Sequence, residues 1–209
     1  MATSERYETD VFINCPFDAA YDPLFDAILF GVTACGFRLR CSLEVMDGSE
    51  IRLDKLLRLI RDSRLGIHDI SRTELDAVSG CPRFNMPFEL GLFLGAKRFG
   101  GKDQQRKNGL ILDSKRYRYQ KFLSDIAGQD IAAHGNSATK ALVIVRDWLK
   151  SHTGARRVPG AAQLARQYAT FLGDHGRICR ELGLDPHGLG FQDRSEVVHV
   201  WLQQSSPLS

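Results

Sequence analysis

The chain has 209 residues, which is enough for one sizeable domain or for one domain with a small appendage. Hydrophobic residues make up 43% of it and charged residues 25%, with a formal net charge of +3, and these proportions exclude a disordered or fibrous chain. The N-terminus lacks the basic start and apolar core of a signal peptide. The longest apolar stretch, near residues 27–37, is far shorter than the roughly 18 residues of a membrane helix. We therefore expect no membrane partner.

The cysteines indicate a reducing compartment. Their number is odd and no two of them have CxxC spacing, which argues against a disulfide framework and against a zinc ribbon. We expect a cytoplasmic protein. The five cysteines are Cys15, Cys35, Cys41, Cys81 and Cys179.

Strands alternate with helices along the first 150 residues. The first strand is the apolar run Val11-Phe12-Ile13, which ends at a Cys-Pro pair. Apolar residues at helical spacing then predict a helix that Gly36 ends, and the alternating segment 37–44 predicts a second strand at or near a sheet edge. The remaining predicted elements are a turn at 46–50, a helix at 51–63, a strand at 64–71, a loop at 71–84, a helix from 85, a strand at 108–114, and helices near 116–125 and 137–150.

This order predicts an α/β fold with a doubly wound, mainly parallel sheet of four to five strands. We place this domain at residues 1–150 and a polar linker at 151–160. Residues 161–209 form a helical extension of two or three helices, too small to make much core alone. It should pack on the first domain or on another subunit through two apolar stripes. The stripes are Leu164, Tyr168, Phe171 and Leu172, and Val197, Val198, Trp201 and Leu202.

Polar residues follow the predicted strands. In an open parallel sheet, ligands bind at the carboxyl ends of the strands, so these residues form the predicted ligand site. His68, inside a strand, is expected to be a buried and satisfied imidazole. The strand-end residues are Asn14, Cys15, Pro16, Phe17 and Asp18, then Glu44 to Asp47, His68 to Ser71 with Asp69 among them, and Asp113 with Ser114.

Familiar cofactor and metal motifs do not occur. No GxGxxG follows the first strand. The segment "GAKRFGGKD" is similar to a phosphate-binding loop, but its residue spacing does not match the motif and it follows a helix instead of a strand. The six histidines show no HExxH or other metal-ligand pairing, and no GxSxG nucleophile elbow occurs. We predict no metal and no cofactor.

Glu89 is a single carboxylate in an apolar run, "FELGLFLGA". Asn85 suits the N-cap and Pro87 the first turn, so Glu89 lies in or just after that turn, where the helix dipole favours its ionised form. Gly91 and Gly95 would let this helix approach the sheet closely. Two interpretations follow. Glu89 either points to water at the helix start, or lines a cleft where its charge stabilises an oxocarbenium-like centre as a ribosyl bond breaks.

Residues 97–121 are strongly basic, with only Asp103 and Asp113 as acidic residues. This segment is either a solvated basic loop or a surface that attracts an anionic partner. Because no aromatic-rich repeat accompanies it, we do not predict nucleic-acid binding. Its basic residues are Lys97, Arg98, Lys102, Arg106, Lys107, Lys115, Arg116, Arg118 and Lys121.

The order of "DVFINCPFD", "LEVMDGSEIRLDKLLRLIRDSRLGIHDIS" and "FNMPFELGLFLGA" resembles a Toll/interleukin-1 receptor (TIR)-like domain of the bacterial type. It is also similar to the related nucleoside 2-deoxyribosyltransferase group, in which a catalytic Glu precedes Leu-Gly, as Glu89 does here. The resemblance covers roughly residues 9–115. It implies a flavodoxin-like or TIR-like sheet, and Glu89 as the catalytic residue.

The resemblance implies that the protein hydrolyses the nicotinamide–ribose bond of NAD. It also implies that the protein acts as an antiphage defence effector and assembles into a homo-oligomer. NAD would be a substrate, not a cofactor. Glu89 would stabilise or attack the ribosyl cation. Predicted substrate-binding residues are Asn14, Cys15, Pro16, Phe17, Asp18, Glu44, Asp69, Ser71 and Asn85. Two alternatives stay open: a deoxyribosyltransferase-like enzyme acting on nucleosides, and a non-catalytic module that binds a nucleotide or assembles through its surface.

Overall fold

A computed structural model describes residues 5–44, 47–73, 75, 80–152 and 157–205. Residue 46 of the predicted turn, residues 74 and 76–79 of the predicted loop, and residues 153–156 of the predicted linker lie outside this part. Contacts divide the chain into two compact units. The sheet unit comprises Met1–Asp22 and Arg38–Ser137, and the helical unit comprises Pro23–Phe37 and Ala138–Ser209. The expected domain boundary near residue 150 stays a prediction.

The sheet unit contains five parallel strands in the order β2-β1-β3-β4-β5. This is the strand order of a flavodoxin-like doubly wound sheet, so the predicted fold class is confirmed. The strands are β1 (Asp10–Asn14), β2 (Arg38–Arg40), β3 (Leu65–Asp69), β4 (Asn108–Asp113) and β5 (Ile131–Ala133). The helices of this unit are α1 (Glu5–Thr9), α3 (Arg52–Asp62), α4 (Asn85–Phe99) and α5 (Lys102–Gln105).

Burial follows the position of each strand in the sheet. All five residues of β1 and all five of β3 are buried, as expected of interior parallel strands. β2 is shorter than predicted and lies at the edge, as predicted, with Arg38 exposed. The buried carboxylate of Asp10 accepts hydrogen bonds from Arg38 and Arg40, at 2.5 and 2.6 Å, which ties β1 to this edge strand. Charge-assisted pairs of this kind help to set the register.

Helix α4 packs on the sheet through Phe93, but not in the way the sequence predicted. A Cβ atom placed on Gly91 or Gly95 would meet nothing within 4 Å, so the expected glycine stripe does not face the sheet. The close approach depends instead on a strand glycine: a Cβ atom on Gly66 would lie 2.6 Å from the Phe93 ring. Phe93 shares a core cluster with Phe12 of β1 and with side chains of α3. This packing holds α4 beside β1 and β3.

Residues 116–125 do not form the predicted α-helix. They form two short 3-10 turns, Arg118–Lys121 and Ser124–Ile126, and Tyr117 before them has a left-handed φ of 60°. The side chain of Arg118 donates to Asp113 and to the carbonyl of Ile70, so tertiary contacts override the local helical pattern. The short elements α1, α5 and β5 were not predicted because three to five residues carry too little periodicity to be detected.

The helical unit contains α2 (Asp22–Ala34), α6 (Ala138–Lys150), α7 (Ala161–Glu181) and α8 (Phe191–Ser205). Phe30 of α2 forms ring contacts with Tyr168, Phe171 and Trp201, with ring centroids 5.1–5.6 Å apart. The predicted burial of the two apolar stripes is confirmed for these residues and for Leu164. Val197 and Val198 are buried as well, Leu202 is half-buried, and Leu172 is exposed, at 53%. Within the described ranges, no helix combines the length and apolar composition needed to cross a membrane.

Candidate functional site

A cleft of about 530 Å³ opens at the carboxyl end of β1, in the sheet unit. It lies where ligands are expected in an open parallel sheet, next to the strand at which the order reverses. Three parts of the chain form it: the last residue of β1 with the residues that follow it, the first residue of α3, and the segment that leads into α4 together with the start of that helix. The lining residues are Asn14, Cys15, Pro16, Phe17, Arg52, Cys81, Pro82, Arg83, Phe84, Asn85, Met86 and Glu89.

Glu89 lines this cleft and is only 7% exposed. It follows the first turn of α4, as predicted, but it does not point to water. Burial raises the pKa of Glu89 to about 7, and the charge of Arg52 lowers it by a smaller amount. Within the described part of the chain no hydrogen bond stabilises the carboxylate. Desolvation therefore outweighs the helix dipole, contrary to the sequence-based expectation. Near neutral pH, both protonation states of Glu89 are populated.

Asn14, the last residue of β1, joins the strand to the helix that carries Glu89. Its Nδ2 donates to the carbonyl oxygen of Met86 over 2.7 Å and lies 3.3 Å from Nδ1 of His68. Both amide hydrogens are used in this arrangement, so the amide oxygen of Asn14 is the atom that can accept a hydrogen bond from a ligand. A ribose hydroxyl group has the donor that this oxygen needs.

His68 is buried, as predicted, and its hydrogen bonding is only partly satisfied. Burial lowers the pKa of His68 to about 3, and the nearby charge of Lys107 lowers it further, so the imidazole is neutral. Its Nδ1 contacts Asn14, while its Nε2 has no hydrogen-bond partner among the described residues. His68 supports Asn14 and has no place in the lining of the cleft.

Two arginines contribute positive charge to the lining: Arg52 and Arg83. Arg83 donates to the carboxylate of Asp18 over 2.6 Å, and Arg72 donates to the same carboxylate over 2.9 Å. Burial opposes ionisation of Asp18, but the hydrogen bond from Arg83 and the two positive charges outweigh it, so the pKa of Asp18 lies below its usual value. Asp18 is therefore an ionised partner of arginines.

Six of the ten predicted site residues line the cleft, and four do not. Asp18 binds arginines, and Glu44 pairs with Arg40 at 2.5 Å. Asp69 is fully buried: it accepts from the hydroxyl of Tyr21 over 2.6 Å and from the backbone of Ser71 over 2.8 Å, and Nε2 of His134 lies 3.1 Å away. Substrate binding by Asp18, Glu44, Asp69 and Ser71 stays a prediction. The lining residues among the ten are Asn14, Cys15, Pro16, Phe17, Asn85 and Glu89.

Asn85 lines the cleft, but its predicted capping role is wrong. It is the first residue of α4, and the N-cap is Phe84, which has no side chain able to cap the helix. Without a capping bond to satisfy, the exposed Asn85 side chain at the cleft can serve a ligand.

Sequence reasoning missed six lining residues, Arg52 and Arg83 among them. Arg52 begins the helix after the edge strand, and helix starts lie at the same sheet edge as strand ends, so extending the strand-end rule by one loop would have included it. Arg83 carries no local signal except its place just before α4. The other missed residues are Cys81, Pro82, Phe84 and Met86.

The basic segment 97–121 contributes no residue to the lining of the cleft. Lys107 is buried, where its amine donates to the carbonyl oxygens of Ile60 and Ser63 and lies over the rings of Tyr7 and Phe93. Part of the positive charge counted in the sequence is therefore internal and structural. Among the described residues, no group of three or more His, Cys, Asp or Glu side chains is arranged to hold a metal ion.

The chain was compared with protein-family models, with curated proteins and with solved structures, and none of them matches it. Function therefore has to be argued from the cleft itself.

Proposed function

We propose that the chain hydrolyses the N-glycosidic bond of a nucleotide, with NAD as the first substrate to test and Glu89 as the catalytic residue. One observation carries this proposal. Glu89 is a buried carboxylate in an open cleft, its pKa is raised to about 7, and no hydrogen bond from the described chain occupies it. Strongly shifted carboxylates of this kind are typical of functional sites, because a purely structural buried carboxylate normally has hydrogen-bond partners.

The chemistry would proceed through a ribosyl centre with oxocarbenium character. The bond between C1′ and the base nitrogen breaks, and its electron pair leaves with the base; in NAD this neutralises the nicotinamide ring. The ionised carboxylate of Glu89 stabilises the positive charge at C1′, or attacks it. Water then supplies the oxygen that bonds to C1′ and releases a proton. A buried carboxylate stabilises such a charge more than one in water because the surrounding dielectric constant is low.

The other lining residues have roles that follow from their contacts. The amide oxygen of Asn14 can accept a hydrogen bond from a ribose hydroxyl group, because its nitrogen is used by Met86 and His68. The hydrogen bond from Asn14 to Met86 also holds the first turn of α4 against the end of β1. This contact positions Glu89 relative to a sugar bound over the strand end.

The resemblance to TIR-like domains and to nucleoside 2-deoxyribosyltransferases supports the same bond type and the same glutamate. It also suggests that the enzyme works as a homo-oligomer and that it serves defence. If a neighbouring subunit completes the site, the specific activity should rise with protein concentration. A specific activity that stays constant over a hundredfold dilution, about the range in which weak dimers dissociate, would remove the requirement for assembly.

The test is to incubate the purified chain with NAD and with a panel of nucleotides and nucleosides, and to measure the released base by chromatography. Glu89→Gln should abolish release while the far-UV circular dichroism stays unchanged. Glu196→Gln, on the exposed side of α8, is the matched control and should keep full activity. A folded Glu89→Gln variant with normal turnover would exclude Glu89 from the mechanism.

The same assay distinguishes the alternatives. Transfer of the sugar to an added free base, instead of to water, would identify a deoxyribosyltransferase-like enzyme. Binding without release of base, at all protein concentrations, would identify a non-catalytic module.

A further inference from the structure

Phe84 is the more exposed of the two aromatic residues that line the cleft. It is 69% exposed, whereas Phe17, on the other side of the lining, is 39% exposed. Among the residues that the structure describes, none makes a ring contact or a cation–π contact with the Phe84 side chain. Because an apolar ring gains free energy when it leaves water, a ligand in the cleft is stabilised if it covers this ring.

The position of Phe84 is unfavourable for the helix that it begins. Phe84 is the N-cap of α4, where Ser, Thr, Asp or Asn would accept a hydrogen bond from a backbone N–H group of the first turn. A phenyl ring cannot accept this bond, and no side chain caps the helix at this position. The residue therefore gives up a cap and also leaves apolar surface in water. Departures from local preference of this kind are expected at functional sites, and both occur here at one cleft-lining position.

The backbone that carries the Phe84 ring is held in place before any ligand binds. The carbonyl oxygen of Phe84 accepts a hydrogen bond from the backbone nitrogen of Phe88 over 2.9 Å, and the bond from Asn14 to Met86 ties the same turn to the end of β1. Glu89 follows Phe84 after a rise of about 7.5 Å along the helix axis. The start of α4 thus presents a ring and a carboxylate at a separation that a ribose with its base can span.

We infer that Phe84 is the residue on which the base of the ligand stacks, so that the cleft takes a sugar that carries a planar aromatic base and discriminates against the same sugar without one. Stacking on an aromatic side chain recognises the π-face that every base has, so both nicotinamide and adenine fit this role. The nicotinamide ring of NAD is also positively charged, which adds a cation–π attraction. This inference deepens the proposed function and rests on it for the class of ligand, but not for the chemistry.

The experiment measures binding, so that it does not depend on turnover. Calorimetry on the full chain carrying Glu89→Gln compares nicotinamide mononucleotide and AMP with ribose 5-phosphate, which has the same phosphorylated sugar and lacks a base. We expect each nucleotide to bind about tenfold or more tightly than ribose 5-phosphate, which corresponds to the stacking of one base on one aromatic ring.

Variants of Phe84, made in the same Glu89→Gln chain, then assign this difference to its ring. Phe84→Ala should weaken the binding of both nucleotides about tenfold and leave the binding of ribose 5-phosphate unchanged. Phe84→Trp should keep the affinity for nucleotides. Phe84→Leu should lose it, because leucine keeps an apolar side chain but has no aromatic face.

Phe88→Ala is the matched control. Phe88 lies one turn further along α4, is 53% exposed and does not line the cleft. Removing its ring takes away a similar exposed apolar side chain from the same helix, so the affinities for the three ligands should not change.

The outcomes separate this inference from the proposed function. Loss of base-dependent binding in Phe84→Ala, with no release of base by the unmodified chain, would leave the stacking residue standing and overturn the hydrolase. Release of base with the same kcat/KM by the unmodified chain and by a chain that carries Phe84→Ala alone would overturn the stacking and leave the hydrolase standing.

Three further results would also overturn the stacking role. Equal weakening of nucleotides and of ribose 5-phosphate in Phe84→Ala would show a merely structural role for the ring. A lower molecular mass of Phe84→Ala in light scattering, with unchanged nucleotide binding, would assign the ring to a contact between subunits. Equal affinity of the Glu89→Gln chain for ribose 5-phosphate and for the nucleotides, or no binding of any of them, would show that the cleft does not recognise the base.

Discussion

The amide nitrogen of Asn14 lies 2.7 Å from the backbone carbonyl oxygen of Met86 and donates a hydrogen bond to it. Asn14 ends β1, and Met86 is the second residue of α4, three residues before Glu89. This one buried contact therefore joins the end of a central strand to the helix turn that precedes the proposed catalytic carboxylate. The geometry of the site depends on it.

Replacing Asn14 with Asp tests this relationship. The new carboxylate would place an acceptor against the Met86 carbonyl oxygen, which has no donor to offer, whereas the neutral His68 can carry its proton on Nδ1 and donate to it. We expect a loss of about 1–3 kcal/mol in the free energy of unfolding, measured by urea denaturation. The rate of base release should fall by more than this loss of stability explains, because a shift of α4 would move Glu89. An Asp variant with unchanged stability and activity would show that the bond does not position Glu89.

The rate of base release should depend on pH through Glu89. Its pKa is raised to about 7 by burial, and the ionised form is the one that stabilises the ribosyl centre. We expect kcat/KM to rise with pH and to reach a plateau above that pKa. One pH unit below the pKa, kcat/KM should be about tenfold lower than on the plateau. NAD is the suitable substrate, because its diphosphate does not titrate in this range, whereas a phosphomonoester does near pH 6. A rate that falls as the pH rises would mean that Glu89 acts as an acid.

The free energy of unfolding should depend on pH in the opposite direction to the rate of base release. Because the pKa of Glu89 is raised from 4.5 to about 7, the folded chain binds this proton more tightly than the unfolded chain. The linked stabilisation is present below pH 4.5 and is lost as the pH rises to about 7. Glu89→Gln removes this loss, because the amide does not ionise. Above pH 7, the free energy of unfolding of the variant should therefore exceed that of the unmodified chain by up to about 3 kcal/mol. Denaturation curves with the same difference at low and high pH would contradict a raised pKa.

In the helical unit, Trp201 should be one of the residues on which stability depends most. Its ring contacts Phe30 and Phe171, and its Nε1 donates to Asp174 over 2.8 Å. Trp201→Ala should lower the free energy of unfolding by about 3–5 kcal/mol, because it leaves a cavity in the aromatic core. Leu172→Ala, at a position that is 53% exposed on α7, is the control and should change it by less than about 1 kcal/mol. Equal effects of the two substitutions in thermal unfolding would contradict the described core.

Local sequence was enough to predict the fold class and part of the site. The apolar runs of β1 and β3 and the helical spacing in α3 and α4 come from neighbours along the chain, and each pattern agrees with the observed element. Because ligands bind at the carboxyl ends of parallel strands, the residues after β1 were predicted to form the site. Glu89 was predicted to be functional because it is a single charged residue in an apolar run. These inferences succeed because secondary structure and strand-end position depend on short-range periodicity.

Tertiary structure decided what the polar residues do. Arg52 and Arg83 are 31 positions apart and meet in one cleft with Glu89, and Asp18 finds its partners 54 and 65 positions away. No local pattern encodes such pairings. The pKa of Glu89 likewise depends on how much water the surrounding chain excludes, not on the helix start alone. Charge and hydrogen bonding depend on three-dimensional proximity and on burial, and only the folded chain brings these side chains together.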